Sequence, residues 1–175
     1  PKIVGEEPKI DWTTEPSDTE KDKYFDDKDK YYQDNPGVYF RNNVWYWRPL
    51  WSYICSEVAP NILSEKDKER GDYNDYHLIN AVKATYIADK IEELDAAGEL
   101  EAFAIKYVKG LEALPKEKCT HCNGTGVRND IHVRGKCNAC EEGLKESWAK
   151  SYPFDTDNVR EFARFARASG GFEIG

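Results

Sequence analysis

The sequence predicts an α+β protein, mainly helical, with a small antiparallel sheet and an inserted β-hairpin knuckle. Three observations lead there. Apolar residues recur at three- and four-residue spacing through residues 78–111 and 159–166, the mark of amphipathic helices. Aromatic and β-branched residues crowd residues 38–47, as strands favour. Four of the five cysteines stand as two C-x2-C pairs between Cys119 and Cys140.

The 175 residues suit one domain with a core of its own. We expect an acidic N-terminal arm over residues 1–36, then a single α+β domain over 37–175 with the knuckle inserted at 116–145. The arm holds 11 Asp or Glu against 6 Lys or Arg, out of a net charge of −8 for the chain. Prolines interrupt it, and DTEKDKYFDDKDKYY alternates charge with aromatics; a solvated arm or a short helix laid on the body fits this pattern. An acidic arm bearing aromatics also suits imitation of a nucleic-acid backbone toward a basic partner. The net charge argues against nonspecific binding of nucleic acid itself, which needs clustered Lys and Arg. No apolar run approaches the roughly 18 residues of a membrane span. Paired C-x2-C motifs, with no signal peptide in view, predict the cytoplasm.

From Val38 the chain reads VYFRNNVWYWRPLW. Residues 38–41 and 44–47 read as two strands, with Asn42 and Asn43 in the turn. Pro49 suits the first position of a helix, in which Leu50, Ile54 and Val58 recur until Ala59-Pro60 stops it. Trp47 and Trp51 are expected to be the more buried aromatics. Trp45, Trp47 and Arg48 are the members best suited to stack on a ligand; packing into a core is the competing use of such a cluster. Cys55 reads as a small core residue, since nothing in the sequence supplies a base to activate it.

Ser64 and Asp67 match the capping-box pattern for a short helix ended by Gly71. Asn74 or Asp75 is then expected to cap a helix carrying Leu78, Val82, Tyr86, Ile87, Ile91 and Leu94 as far as Gly98. A second helix runs from Glu99 to Pro115 with Leu100, Phe103, Tyr107 and Leu111 in its stripe. His77 lies near the first helix start, where a cap-region role competes with a ligand or proton-transfer role. After the knuckle, Asp155 or Thr156 caps a helix that buries Val159, Phe162, Ala163 and Ala166 and ends at Gly170-Gly171. Phe172-Glu173-Ile174 then alternates like a strand and is expected to pair with the edge of the 38–47 hairpin.

The knuckle carries the clearest chemistry. Two thiolates at i and i+3 of a tight turn can face one ion, and two such turns supply the four sulfurs that tetrahedral zinc prefers. Cys119, Cys122, Cys137 and Cys140 are the expected ligands of one zinc. A closed four-sulfur shell leaves no coordination position for water, so the metal is expected to be structural. His121, Arg128, His132 and Arg134 are then candidate partner contacts on the knuckle surface. Lys and Arg exceed the acids by only one across residues 115–147, so the knuckle does not read as a nucleic-acid binder.

CTHCNGTG at residues 119–126 resembles the C-x2-C-x-G-x-G repeat of the cysteine-rich region of DnaJ-type chaperones, and CNACEEG at 137–143 resembles a degraded second copy. This implies a zinc-bound β-hairpin; the J-domain HPD motif is absent. More loosely, NNVWYWRPLW, YNDYH, the knuckle and SYPF…NVREFARFARASGGFEI together resemble uncharacterised proteins of bacteriophages and bacteria, which implies residence in a host cytoplasm but no activity. Two functions are therefore expected to compete. The leading one is a non-enzymatic protein that binds a protein partner through its knuckle, as small phage proteins that redirect a host machine do. The alternative is a small enzyme or ligand-binding domain at the aromatic cluster, using Arg48, Asn74, Asp75 and His77. No P-loop, G-x-S-x-G, HExxH or GxGxxG supports the enzyme.

Overall fold

The computed structural model describes residues 3–73 and 75–175; Asn74 lies outside the described residues. Helices α1 (Asp18–Asp34), α2 (Val44–Tyr53), α3 (Glu65–Arg70), α4 (Ala81–Ala96), α5 (Glu99–Glu112) and α6 (Thr156–Ser169) dominate. Among the described residues, strands pair in antiparallel twos: β1 (His77–Asn80) with β6 (Gly171–Ile174), β2 (Glu117–Lys118) with β5 (Leu144–Lys145), and β3 (Val127–Asn129) with β4 (Arg134–Lys136). The expected mixed α+β class is the observed one.

Residues 38–47 form no hairpin, which corrects the reading of two strands there. Asn43 is an N-cap, not a turn residue: its side-chain oxygen accepts from the amides of Trp45 and Tyr46 at 3.0 and 3.2 Å. The helix it starts runs through Pro49, whose missing N–H removes one backbone bond. Helical spacing sends Leu50, Trp51 and Ile54 to the same core, whereas a strand would point neighbours to opposite faces. That shared burial outweighs the strand preference of the aromatics. The helix then widens into a π-turn over Ile54–Val58, closed by Ala59 N–H to the Ile54 carbonyl at 2.8 Å.

A second correction follows. With no hairpin to meet, β6 pairs with β1, Ile79 opposite Phe172 and His77 opposite Ile174. Residues 77–80 are thus a strand and not the first turn of a helix. Asn80, rather than Asp75, caps α4, its side chain accepting from Lys83 N–H at 3.0 Å, while Asn74, the other expected cap, lies outside the described residues. Leu78 and Val82 are consequently 58% and 77% exposed, while Ile87, Ile91 and Leu94 are buried as the stripe predicts.

The core forms where α4 and β6 meet α6 and α2. Ile87, Ala88 and Ile91 pack in one cluster with Val159, Phe162, Ala163, Ala166 and Trp51. Trp51 is buried against Gly71, where an added Cβ would come 1.9 Å from its indole, and its N–H donates to the Lys68 carbonyl at 3.0 Å. Two arginines of α6 hold it to α4: Arg160 forks onto Asp95 and also reaches Glu101, and Arg167 forks onto Glu92. Such bidentate pairs fix register more than they add stability, because they are partly solvated.

In the acidic segment, Ser17 and Glu20 form a capping box at the start of α1. At its end the buried Asn35 side chain accepts from Val4 N–H at 2.7 Å and donates to the Val4 carbonyl at 2.9 Å. The Val4 backbone N–H and carbonyl are thereby both satisfied by one side chain. Gly37 lies so close to the Ala168 backbone that a Cβ would approach it to 2.3 Å.

Candidate metal centre

The knuckle is built by two short ladders. β2 and β5 pair where the chain enters and leaves, and β3 and β4 form the outer hairpin, Arg128 opposite Gly135. Asp130 closes the hairpin tip by accepting from the amides of His132 and Val133 at 2.8 Å each, an arrangement typical of Asx turns.

Between the ladders lie the two cysteine loops, and they are clasped to each other crosswise. Cys119 N–H donates to the Gly143 carbonyl and Cys137 N–H to the Gly126 carbonyl, both at 2.8 Å. Each loop's first cysteine is thus tied to the glycine that follows the other loop. Gly143 has φ +89°, and a Cβ there would fall 2.2 Å from the Gly124 carbonyl oxygen. Glu142 precedes it at φ 49°, so the degraded copy of the glycine motif keeps a left-handed pair of residues, one position later than Asn123 and Gly124 in the first copy.

All four sulfurs lie within 4.8 Å of one another. Cys119 and Cys137 Sγ are 4.0 Å apart, Cys122 and Cys140 Sγ 3.6 Å. A tetrahedral ion with sulfurs at about 2.3 Å requires sulfur–sulfur separations near 3.8 Å, so the cage fits. No cysteine is in a disulfide. The Gly126 amide donates to Cys122 Sγ at 3.3 Å. Burial opposes ionisation of Cys122, but the Gly126 amide and the Cys140 and Cys119 thiols outweigh it and bring the thiol down to about 6. Burial and then the neighbours Cys137 and Cys122 push Cys140 up to about 12. The cage resists holding all its negative charge alone, which is the charge a dication offsets. Among the described residues it is the one group of three or more such side chains with metal-holding geometry.

His121 is exposed on the loop between Cys119 and Cys122, and His132 and Arg134 are exposed around the outer hairpin. Arg128 pairs with Asp130 and reaches the Asn138 side chain at 3.2 Å. Trp45 and Arg48 attach to the chain leaving the knuckle. Trp45 packs on Trp148 and Tyr152 at 5.1 Å from each, and Arg48 donates to the Tyr152 hydroxyl at 3.1 Å. Trp47 stacks on Trp51 at 5.4 Å, its N–H held by the Gly71 carbonyl at 2.7 Å. Asp75 is ion-paired with Arg70.

His77 meets a carboxylate that the sequence assigns only to a helix cap. Its Nε2 lies 2.9 Å from Asp67 Oδ1, and Lys83 Nζ binds the other oxygen. Asp67 also closes the predicted capping box with Ser64. Burial alone would raise its pKa, but bonds from Lys83, Ser64 and His77 hold the carboxyl well below the ordinary carboxylate range. Only the capping box was visible in sequence; the lysine and histidine arrive through β1 and α4. Arg48 and His77 are engaged by different partners, and neither lines the aromatic cavity beside Trp47.

Comparisons with family models, curated proteins and solved structures return no match to this chain. Fold and site define the class by themselves: a mixed α+β protein with four clustered cysteines able to hold a metal ion. Among the described residues, no helix is long and apolar enough to cross a membrane.

Proposed function

We propose that the chain is a non-enzymatic, cytoplasmic protein that holds one structural zinc in the four-cysteine cage and presents its knuckle to a protein partner. The observation that carries the zinc is the cage, with four sulfurs within 4.8 Å of one another and loops clasped crosswise. All-sulfur tetrahedral donors favour zinc over harder cations, and a filled shell leaves no room for a reacting water. The partner role is supported by the knuckle tip. Ile131 is 92% exposed and Val127 53%, beside exposed His132 and Arg134, a mixture suited to a protein contact. The phage-type reading, in which such a protein redirects a host machine, rests on the sequence resemblance and belongs to this proposal, as does the knuckle as a lobe inserted at residues 116–145 of a 37–175 domain.

Native mass spectrometry of protein purified without added metal tests the zinc. One zinc per chain is expected; a metal-free chain, or one with two disulfides, would overturn it. For the partner, capture from the native host is compared between the wild type and Ile131→Asp with its metal content verified. One protein retained by the wild type and lost by the variant is expected; identical captures would remove the knuckle tip from the proposal.

A further inference from the structure

A cavity of about 150 Å³ opens on the aromatic side of the core, apart from the knuckle. Five rings line it: Phe40 and Trp47 from the α2 region, Phe162 and Phe165 from α6, and Phe172 from β6. They pack on one another, Phe40 on Phe162 at 5.2 Å and Phe165 on Phe172 at 5.6 Å. The polar side chains among them are Asn42, Asp72 and Glu173, and no lysine, arginine or histidine among the described residues lines the space.

Few side-chain donors are left to face a ligand. The Trp47 indole N–H is held by Gly71, and one N–H of the Asn42 amide donates to Asn158 at 3.2 Å, leaving its second. The remaining side-chain groups are mostly acceptors: the two carboxylates and the Asn42 oxygen. Burial pushes the Asp72 carboxyl upward, with Arg48 opposing. Yet Arg48 donates to Tyr152, and Asp72 forms no ion pair among the described residues.

From this arrangement we infer that the cavity is a binding site for a small organic cation of the alkylammonium class, its alkyl groups against the aromatic lining and Asp72 as counter-charge. A cavity near 150 Å³ accommodates a molecule about the size of benzene, and ring quadrupoles attract an ammonium most when it is desolvated. A neutral ligand of the same shape would gain nothing from the two solvent-exposed carboxylates, and an anion would be repelled by them. The site owes nothing to the metal, so it stands or falls independently of the knuckle.

The test uses the full zinc-loaded chain, followed by amide NMR, with choline chloride as probe and 3,3-dimethylbutan-1-ol as its uncharged isostere, at ionic strength held constant with sodium chloride. Saturable shifts centred on Trp47 and residues 172–175 are expected with choline, at an affinity about tenfold above that of the alcohol. Asp72→Asn should weaken choline about fivefold and leave the alcohol unchanged. Because Asp72 is largely exposed, that variant should fold; Glu173→Gln gives a second reading and should weaken choline in the same sense. Equal affinities for the two probes would reduce the site to an apolar hollow, and no saturable shift with choline, or choline affinity unchanged in both variants, would overturn the inference.

Discussion

The amide of Cys119 donates to the carbonyl of Gly143 at 2.8 Å, joining the first ligand loop to the turn that follows the second. Because Cys137 and Gly126 repeat the bond in the other direction, the two loops that carry the four sulfurs are braced against each other by backbone. Bracing of this kind lowers the ordering cost of binding, and backbone partners around metal ligands typically matter 10- to 100-fold in affinity.

Gly143→Ala should therefore weaken zinc binding by about tenfold or more. The added Cβ meets the Gly124 carbonyl, and φ +89° is strained for alanine. Competition with a chromophoric chelator measures this. Affinity equal to the wild type would show that the crosswise clasp does not position the sulfurs.

Metal loss should be felt locally. Core residues of α2, α4 and α6 share one cluster, while Cys119, Cys122 and Cys137 form another. Cys119→Ser with Cys122→Ser should keep most of the helical circular dichroism while opening residues 116–145 to protease. Loss of both the helical signal and cooperative melting would mean that the zinc centres a single core.

The five thiols should separate in reactivity. Burial, followed by the Asp72 charge, raises Cys55 to about 12, so little of it is thiolate at pH 8. Once chelation of the metal opens the knuckle and frees Cys140 from the burial and the neighbouring thiols that hold it up, a disulfide reagent should titrate the four cage thiols quickly, and Cys55, packed against the separate main core, only on unfolding. A fifth fast thiol in the chelated, folded protein would contradict this.

Asp67 should make stability depend on acid pH. Its folded pKa lies below the ordinary 3.8, so its contribution is present in full above that value and is lost as pH falls toward the folded pKa. Asp67→Asn should cost about 2–3 kcal/mol at pH 7, the scale of lost hydrogen bonds to a charged group. Urea unfolding should find that cost shrinking below about pH 4. A difference constant from pH 7 to pH 3 would remove the charge from the account.

Gly71→Ala should destabilise the fold by about 2–3 kcal/mol, because Trp51 occupies the space of the new methyl group. Backbone strain plays no part: Gly71 has φ −66°. A thermal melt within a degree of the wild type would show that the indole can move aside.

Local rules read well wherever the chain decided matters within a few residues. The capping box at Ser64 and Asp67, the Asp155 cap of α6, the left-handed Gly170 at its end and the i, i+3 cysteines were all legible, since each depends on side chains reaching their own backbone or their neighbour's thiol. Residues 38–47 and 75–82 were not. Their local preferences were near balance, strand against helix, and the choice passed to distant partners. Trp51 needed Gly71 beneath it and Ile79 needed Phe172 opposite, contacts no periodicity reports. The candidate site divides in the same way. Sequence spacing chose the four sulfurs, but the crosswise clasp, the Lys83 and His77 bonds to Asp67 and the ring-lined cavity come from residues far apart in the chain. Only packing brings these together, because burial rewards the whole assembly rather than any one segment.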